Sequence, residues 1–331
     1  MSKSEFSILI TGANGFVGSR LCRLFAEKGY RVIAGVRKTA DLSLLNGIDV
    51  EYRYGDVTDP DSLPAMVSGA DYIIHNAGVV KAKKRETFYN VNERGTVSLV
   101  EATIKHNPNI KKFIYISSLA ASGPVIEGRP VAESDQPHPI SEYGKSKLAA
   151  EAALLPFFGK LSIVILRPSG VYGPGDKEIF TFFNAINKGI KAIVGDPERR
   201  IQIVHVDDLC HAVFLALESE TKTGEASFVA EKQSYSMREM VNILSKSSGR
   251  KCVTLRVPGF LFKVIAFISE FFFKLVNATP MLTREKAAEL LASWEVSTAK
   301  AFNTFGFQSE ISFKDGSEET YKWYREQGWL K

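Results

Sequence analysis

The sequence predicts an α/β fold in which helices cover both faces of a doubly wound parallel sheet, followed by a smaller C-terminal lobe. Three observations predict it. Short apolar runs alternate with helix-patterned segments over the first 170 residues, a glycine-rich turn joins the first run to the first helical segment, and small or charged residues follow the strands. Because the carboxyl ends of parallel strands meet at one edge of a sheet, these residues are expected to line one crevice.

The glycine-rich turn is the strongest local signal. Residues 6–10 are a predicted buried strand, TGANGFVG follows at 11–18, and apolar periodicity then indicates a helix. Here Gly12 allows a tight turn, Gly15 lets a pyrophosphate approach the backbone, and Gly18 permits close packing of helix on strand. Because a helix N-terminus favours anions, the turn predicts a dinucleotide site. The residues expected to contact the phosphates are Gly12, Asn14, Gly15, Phe16, Val17 and Gly18.

The second strand, predicted at residues 31–36, ends in Arg37 and Lys38. A dinucleotide fold that prefers NAD usually has an acidic residue at this point to hold the adenosine ribose. Two cations suit the extra phosphate of NADP instead, so we favour NADP. In the alternative, Arg37 and Lys38 are ordinary surface cations, Asp41 holds the ribose, and the cofactor is NAD.

Four further strands continue the pattern, at residues 50–54, 71–75, 112–117 and 162–166, with long helices predicted at residues 85–106 and 143–158. Asp56, after the third strand, is placed to meet an adenine ring. Ala77 and Gly78, after the fourth, are small enough to let a cofactor pass close to the backbone. We assign residues 1–170 to the dinucleotide-binding domain, with strands returning to it around residues 200–230. Residues 171–331 are assigned mainly to a substrate-binding lobe.

Tyr143 and Lys147 lie four residues apart in YGKSK and therefore on one face of a predicted helix. A phenol with a pKa near 10 is a poor proton donor or acceptor at neutral pH. An adjacent ammonium, together with the positive charge of an oxidised nicotinamide, would stabilise the phenolate and lower that pKa. The pair therefore predicts acid–base catalysis at Tyr143.

With these motifs in place, the sequence resembles the extended short-chain dehydrogenase/reductases, also called the NAD-dependent epimerase/dehydratase family, over essentially its whole length. The resemblance implies a Rossmann sheet and nicotinamide-dependent chemistry. The motifs that carry it are TGANGFVG (11–18), GDVTD (55–59), HNAG (75–78), NERGT (92–96), YISS (115–118), YGKSK (143–147), RPSGVYGPGD (167–176), HVDDL (205–209) and WYREQGWL (323–330).

The resemblance also implies roles for single residues. Tyr143 matches the family's acid/base, and Lys147 matches the lysine that holds the nicotinamide ribose and lowers the tyrosine pKa. Ser117 and Ser118 compete for the hydroxyl that binds the substrate oxygen, and Ser118 is preferred because it lies at the outgoing end of the strand. The other matches are Asn92 near the active site, Pro168 at the nicotinamide amide, and Asp56 and Val57 at the adenine.

Two departures from the family pattern narrow the expected chemistry. Dehydratases of the family carry an adjacent acidic pair after the fifth strand, where this chain reads Leu119-Ala120-Ala121, so dehydration is not expected. Nucleotide-sugar epimerases place an arginine shortly before the histidine of HVDD, but here Arg200 is displaced into the preceding loop. The serine segment is more similar to the 3β-hydroxysteroid dehydrogenase and dihydroflavonol-reductase branches, which act on secondary alcohols and ketones.

The segment at residues 257–276 is the most apolar outside the sheet. Its three charges fall on one side of a helix, which argues against a membrane-spanning helix and leaves a wide apolar arc. One interpretation packs that arc into the substrate lobe or a dimer contact. The other makes it a lid over a lipophilic substrate or a helix lying on a membrane surface. The arc is the main reason to expect a lipid-like or sterol-like substrate.

Composition sets the remaining expectations. The net charge of +5 is spread along the chain apart from short clusters, so no nucleic-acid partner is expected. The three cysteines share no close spacing, which predicts neither a metal site nor a disulfide framework and favours a reduced, cytoplasmic compartment. No signal peptide is expected, because the first apolar run is a strand. A homodimer is expected from the resemblance, with contacts through the helices around residues 91–103 and 143–155.

Together these observations predict an NADP(H)-dependent oxidoreductase that interconverts a ketone and a secondary alcohol on a bulky, lipophilic substrate. The alternatives are an NAD-dependent nucleotide-sugar epimerase, and a non-catalytic NADP-binding regulator. The complete set of Ser118, Tyr143 and Lys147 argues against the regulator.

Overall fold

A seven-stranded parallel sheet forms the centre of the computed structural model, which describes residues 6–126, 128–275 and 282–330. Its strands are β1 (Ser7–Thr11), β2 (Arg31–Val36), β3 (Glu51–Tyr54), β4 (Tyr72–His75), β5 (Lys112–Ile116), β6 (Ile163–Pro168) and β11 (Ala226–Val229). Their order across the sheet is β3-β2-β1-β4-β5-β6-β11. The strand order reverses between β1 and β4, which is where such sheets bind their ligands.

Helices cover both faces of this sheet, because its central strands are buried on both sides and read as continuous apolar runs. The first seven helices are α1 (Phe16–Glu27), α2 (Leu63–Val67), α3 (Arg85–Phe88), α4 (Gly95–His106), α5 (Glu142–Leu154), α6 (Phe180–Asn187) and α7 (Val206–Glu218). Two apolar cores lie on the two faces of the sheet, one built on α1 and α7, the other on α2, α4 and α5.

The chain after residue 170 builds a lobe beside the carboxyl edge of the sheet. Its helices are α8 (Met237–Ser248), α9 (Gly259–Leu275), α10 (Arg284–Leu291), α11 (Ala299–Phe305) and α12 (Phe313–Glu326). Three two-stranded sheets pair β7 (Gly170–Tyr172) with β10 (Ile203–His205), β9 (Arg200–Ile201) with β12 (Tyr235–Ser236), and β8 (Ile190–Val194) with β13 (Val253–Val257). Strand β11 joins the main sheet, and α7 and α11 pack in its core.

Most predicted elements of the sheet are present within one or two residues, but two segments differ. The helix expected at residues 85–106 is interrupted by a π-helical stretch, Tyr89–Arg94, which contains Asn92. Of the strands expected around residues 200–230, the first is split at Gln202, whose side chain donates to Glu231 O and accepts from Val296 N. Within the described residues, no helix is both long and apolar enough to cross a bilayer.

Helix α9 turns much of its apolar arc outward. Phe260, Phe267 and Phe272 are 73%, 55% and 60% exposed. The interpretation in which this arc packs into the substrate lobe is therefore wrong for these side chains. Amphipathicity predicts that a helix has an apolar side, but it does not say which way that side faces.

Candidate active site

The glycine turn between β1 and α1 has no room for a side chain at Gly12 or at Gly18. Gly12 has φ of +65°, and a Cβ there would lie 2.9 Å from Ala77 Cα on the neighbouring β4 loop. A Cβ at Gly18 would lie 2.1 Å from Gly12 O. The turn thus brings the ends of β1 and β4 together at the point where the strand order reverses, as the motif predicts.

The start of α1 fits the pyrophosphate of a dinucleotide. Gly15 is its N-cap, no side chain caps it, and its first turn holds no acidic residue. The first amides of an α-helix have no acceptor within the helix, so those of Phe16 and Val17 are available to an anion. At the other side of the crevice, Ser169 Oγ is buried without a hydrogen-bond partner among the described residues, directly after Pro168 at the end of β6. A nicotinamide carboxamide near Pro168 would supply such a partner.

Exposed cations follow β2, at the place expected for the adenosine ribose. Arg37 and Lys38 are both exposed, and no ion pair involves either in the described part of the chain. The Asp41 carboxylate instead accepts the backbone amide of Ser43 at 2.9 Å, a contact that lowers the pKa of this carboxyl, as does the charge of Lys177. Asn14 donates to Asp41 O at 3.2 Å and so ties the glycine turn to this loop.

The predicted adenine contacts lie after β3. Asp56 Oδ1 accepts from the amide and hydroxyl of Thr58, at 2.9 and 2.8 Å. Val57 is buried against α4, where a Cβ on Gly95 would lie 2.7 Å from Val57 Cγ2. Both side chains therefore make contacts within the protein that the sequence motif did not indicate.

Helix α5 presents Tyr143 to Ser118 because a glycine lets the backbones approach. A Cβ on Gly144 would lie 2.3 Å from Ala120 O in the 3₁₀ turn Leu119–Ala121. Burial raises the pKa of the Tyr143 phenol, hydrogen bonding to Ser118 acts in the opposite direction, and the negative charge of Glu289 raises it further. In this environment the phenol is protonated at neutral pH and is a proton donor.

Lys147 lies one turn further along α5, and its side chain is buried beneath the crevice. Its Nζ donates to Ile116 O at 2.7 Å and lies 4.6 Å from the centre of the Tyr115 ring. A Cβ on Gly78 would lie 3.7 Å from the same Nζ. Burial lowers the pKa of Lys147 to about 7, and the negative charge of Glu151 opposes that shift.

Asn92 links the β4 loop to the catalytic helix. Its Oδ1 accepts from Val79 N at 2.8 Å, and its Nδ2 donates to Val79 O at 3.0 Å and to Ser146 Oγ at 2.9 Å. Ser146 in turn donates to Tyr143 O at 2.7 Å. Since its amide is fully engaged by these groups, Asn92 has the contacts of a positioning residue. The NERGT motif predicts Asn92 near this site, whereas no sequence motif indicates the role of Ser146.

A buried hydrogen-bond chain through His75 was not predicted, although HNAG contains the residue. Thr96 Oγ1 donates to Asn92 O at 2.6 Å, so it accepts from His75 Nε2 at 2.9 Å. His75 Nδ1 is then an acceptor for Thr11 Oγ1 at 2.8 Å, and Thr11 Oγ1 accepts from Ala77 N at 3.1 Å. When His75 is neutral, each donor in this series of hydrogen bonds donates once. Burial, and the positive charge of Lys147, lower the pKa of His75 to about 3.

Three cations from the short basic clusters of the sequence, Lys81, Arg85 and Arg200, form ion pairs. Lys81 pairs with Glu178 at 2.7 Å, and Arg85 pairs with Glu142 at 2.6 Å beside the start of α5. Arg200 donates to Ser234 O at 2.5 Å and lies 3.3 Å from Glu239. These cations are neutralised within the protein.

The comparisons with known proteins agree with this geometry. The family model for the NAD-dependent epimerase/dehydratase family matches residues 8–230. A ceramide reductase of Caulobacter vibrioides is 30% identical over 98% of this chain and 96% of its own. A 2-alkyl-3-oxoalkanoate reductase of Stenotrophomonas maltophilia is 29% identical over 93% and 96%, and a 3-beta-hydroxysteroid dehydrogenase of Mycolicibacterium neoaurum is 26% identical over 96% and 91%.

Solved structures show the same fold over the whole chain. A protein described as gox2253 superposes with a TM-score of 0.83 at 28% identity, covering 98% of this chain and 99% of that one. A UDP-glucuronic acid 4-epimerase from Bacillus cereus, solved with NAD, gives a TM-score of 0.77 at 24% identity over 98% and 99%. This chain therefore belongs to the NAD-dependent epimerase/dehydratase family and is an NAD(P)-dependent oxidoreductase of the extended short-chain dehydrogenase/reductase type.

Proposed function

We propose that the protein is an NADP(H)-dependent reductase of a bulky, lipophilic ketone, acting reversibly on the corresponding secondary alcohol. The observation that carries the proposal is the placement of Tyr143, a partly buried phenol that is protonated at neutral pH, beside Ser118 at the carboxyl edge of the sheet. The nicotinamide supplies a hydride when it is bound. The chain's own residues supply the proton and hold the substrate oxygen.

The proton is held at Tyr143 Oη. Burial and Glu289 raise the pKa of this phenol and keep it protonated, while hydrogen bonding to Ser118 opposes that shift. A ketone oxygen placed between the two hydroxyls is polarised by both, and Tyr143 donates its proton as negative charge develops on that oxygen. Lys147, with a pKa lowered to about 7, lies at the adjoining Gly78 backbone where the cofactor ribose would pass.

The preference for NADPH rests on the end of β2. Arg37 and Lys38 are exposed there, and the Asp41 carboxylate is engaged by Ser43. A guanidinium in this place binds the 2′-phosphate of NADP, and an acidic residue would have bound the ribose hydroxyls of NAD.

Two kinds of support favour a lipophilic substrate. Relatives that match nearly the whole chain are named for ceramide, 2-alkyl-3-oxoalkanoate and 3-beta-hydroxysteroid substrates. The residue nearest to a diphosphate-gripping arginine, Arg200, is already held by Ser234 and lies near Glu239 and Glu295. A nucleotide-sugar substrate would have to displace these contacts.

Titration of the purified protein with NADPH and with NADH, together with the absorbance of the protein as isolated, tests the proposal. Reversible binding with a clear preference for NADPH, followed by oxidation of NADPH by lipophilic ketones, is the expected result. Tightly retained NAD that survives purification would instead support the epimerase. Reversible NADPH binding without turnover of any ketone or alcohol would support a regulator.

A further inference from the structure

Helix α9 carries a broad apolar surface on its outer side. At 100° per residue, its exposed side chains span about 200° of the circumference. Among the described side chains of that arc, Lys263 alone is charged. The α9 face consists of Phe260, Leu261, Lys263, Val264, Ile265, Phe267, Ile268 and Phe272. Large apolar residues concentrated on one exposed face indicate an interaction surface.

The strand that precedes α9 also exposes apolar side chains. Val253 and Leu255 of β13 are exposed, Val253 by 77%, and so is Ile190 of the paired strand β8. The α9 face and this edge strand belong to consecutive segments, since α9 begins two residues after β13 ends. Exposed apolar side chains therefore also occur in the segment that leads into α9.

The charged residues on the α9 face and in the segment before it are mostly positive. Among the described side chains of residues 250–273, Arg250, Lys251, Arg256 and Lys263 stand against a single acid, Glu270. Glu270 is partly buried and pairs with Arg284 of α10 at 2.6 Å, so its charge is compensated by a cation of the same lobe. An apolar face bordered by unopposed cations complements an anionic, hydrocarbon-rich surface.

Helix α10 connects the α9 face to the active site. Arg284 joins its first turn to Glu270 of α9, and a Cβ on Gly259 would lie 3.4 Å from Leu291 at its other end. On its opposite side, Glu285 accepts the amide of Glu142 at 3.2 Å, one residue before Tyr143. The charge of Glu289 acts on the Tyr143 phenol. The helix pair thus runs from the outer apolar surface to the catalytic tyrosine.

We propose that the α9 face docks on the surface of a lipid bilayer that contains anionic headgroups, and that this docking presents the active-site crevice to substrate dissolved in the bilayer. The second half of this inference rests on the proposed function, since it assumes a lipophilic ketone. The first half does not. A second copy of the chain is a poorer occupant, because pairing two such faces would bring their like-charged borders together.

Flotation of the full chain with lipid vesicles tests the docking without cofactor or substrate. Vesicles of phosphatidylcholine alone are compared with vesicles that also contain phosphatidylglycerol. Wild-type protein is expected to float with the anionic vesicles and to dissociate as salt is raised. The triple variant Phe260→Gln, Phe267→Gln, Phe272→Gln is expected to bind at least about tenfold more weakly, because three aromatic side chains no longer leave water.

Phe302→Gln is the matched control, since Phe302 is an exposed phenylalanine on α11, and it is expected to bind like wild type. An unchanged melting temperature shows that the triple variant is folded. Unaltered vesicle binding by the triple variant overturns the proposal. The proposal is also overturned if the wild-type protein does not bind vesicles but forms a dimer that the triple variant does not form.

Turnover separates this inference from the proposed function. The triple variant is expected to reduce a short, water-soluble ketone at the wild-type rate and to lose rate on a ketone supplied in anionic vesicles. If no ketone is reduced by either protein while flotation behaves as described, the proposed function fails and the docking stands. If the variant reduces the vesicle-borne ketone as fast as wild type, delivery through the α9 face is wrong.

Discussion

Glu151 and Arg167 form a buried ion pair behind the catalytic loop. Arg167 Nε and Nη2 donate to the two carboxylate oxygens at 3.0 and 2.5 Å, and each side chain is 8% exposed. The same carboxylate accepts from Ser117 Oγ, and Arg167 Nη1 donates to Ser122 Oγ at 2.9 Å. One ion pair therefore fixes both ends of the segment that carries Ser118.

Glu151→Gln is expected to lower the free energy of unfolding by about 3 kcal/mol, because it leaves the Arg167 charge buried without a counter-charge. Urea denaturation measures this loss. The negative charge of Glu151 raises the Lys147 pKa, so its removal in Glu151→Gln lowers that pKa. If Glu151 acts on the reaction through Lys147, the limb of the pH–rate profile that reports Lys147 therefore moves to lower pH.

Glu101→Gln on α4 is the control for this variant, because Glu101 is exposed, and it is expected to leave stability and pH profile unchanged. A Glu151→Gln protein with wild-type stability would contradict the structural role. If Glu151→Gln is destabilised but its pH–rate profile is unchanged, Glu151 has a structural role and no electrostatic effect on Lys147.

His75 is expected to be neutral, with its proton on Nε2, at pH 7 and still at pH 5. Its ring is held between Thr11 and Thr96, and its pKa is lowered to about 3 by burial and by Lys147. Nitrogen-15 spectra of histidine-labelled protein, assigned with His75→Asn, report the tautomer directly. Ring signals that move to the imidazolium positions between pH 7 and pH 5 would show that the hydrogen-bond chain is assigned wrongly.

His75 also makes the folded state less stable as the pH falls, because its pKa is lowered in the folded protein. Above the unfolded pKa near 6.5, His75 is neutral in both states and contributes fully. As the pH falls below that value, the unfolded chain binds a proton that the folded chain does not bind until pH is near 3. Wild type is expected to lose about 2 kcal/mol more than His75→Asn between pH 7 and pH 5 in urea denaturation. Parallel pH dependences in the two proteins would rule this contribution out.

The sequence predicts the sheet well because its signals are local. A buried strand such as β2 is a continuous apolar run, and the glycine turn encodes its own close approach through Gly12 and Gly18. The His75 chain and the Glu151–Arg167 pair are not predictable in this way. Each joins residues that are far apart in sequence and meet only when the sheet forms, and a threonine or a glutamate is ordinary on any strand end or helix.

The structure of the C-terminal lobe is even harder to predict from local sequence signals. Strands β8 and β13 are short, and most of their residues are at least partly exposed, so they lack the apolar periodicity that identifies a strand. Helix α9 was predicted from residues 257–276, but the outward direction of its apolar side depends on the tertiary packing of α10. Ser118 and Ser117 were competitors in sequence, and the structure gives them different neighbours, Tyr143 and Glu151.

Arg37→Ala is expected to weaken NADPH binding by about tenfold to a hundredfold, because a charge-assisted contact to the 2′-phosphate is lost. The affinity for NADH, which lacks that phosphate, is expected to stay the same. Fluorescence titration of both cofactors measures the two effects. Arg23→Ala is the control, since Arg23 is an exposed arginine within α1. If Arg37→Ala lost equal affinity for NADPH and NADH, Arg37 would not bind the 2′-phosphate. A selective loss of NADH affinity in Asp41→Ala would favour NAD as the cofactor.

Tyr143→Phe is expected to reduce kcat by at least about a hundredfold, since it removes the proton donor, while leaving the Kd for NADPH nearly unchanged. Ser118→Ala is expected to reduce kcat/KM without affecting stability, because Ser118 is the hydroxyl paired with Tyr143. Ser117→Ala is the matched comparison: it removes a buried hydrogen bond to Glu151, so we expect lower stability with a smaller loss of rate. Steady-state kinetics and urea denaturation on the three variants separate these roles. Retained turnover in Tyr143→Phe would end the assignment of this tyrosine as the acid, and a larger loss of rate in Ser117→Ala than in Ser118→Ala would transfer the substrate-binding role to Ser117.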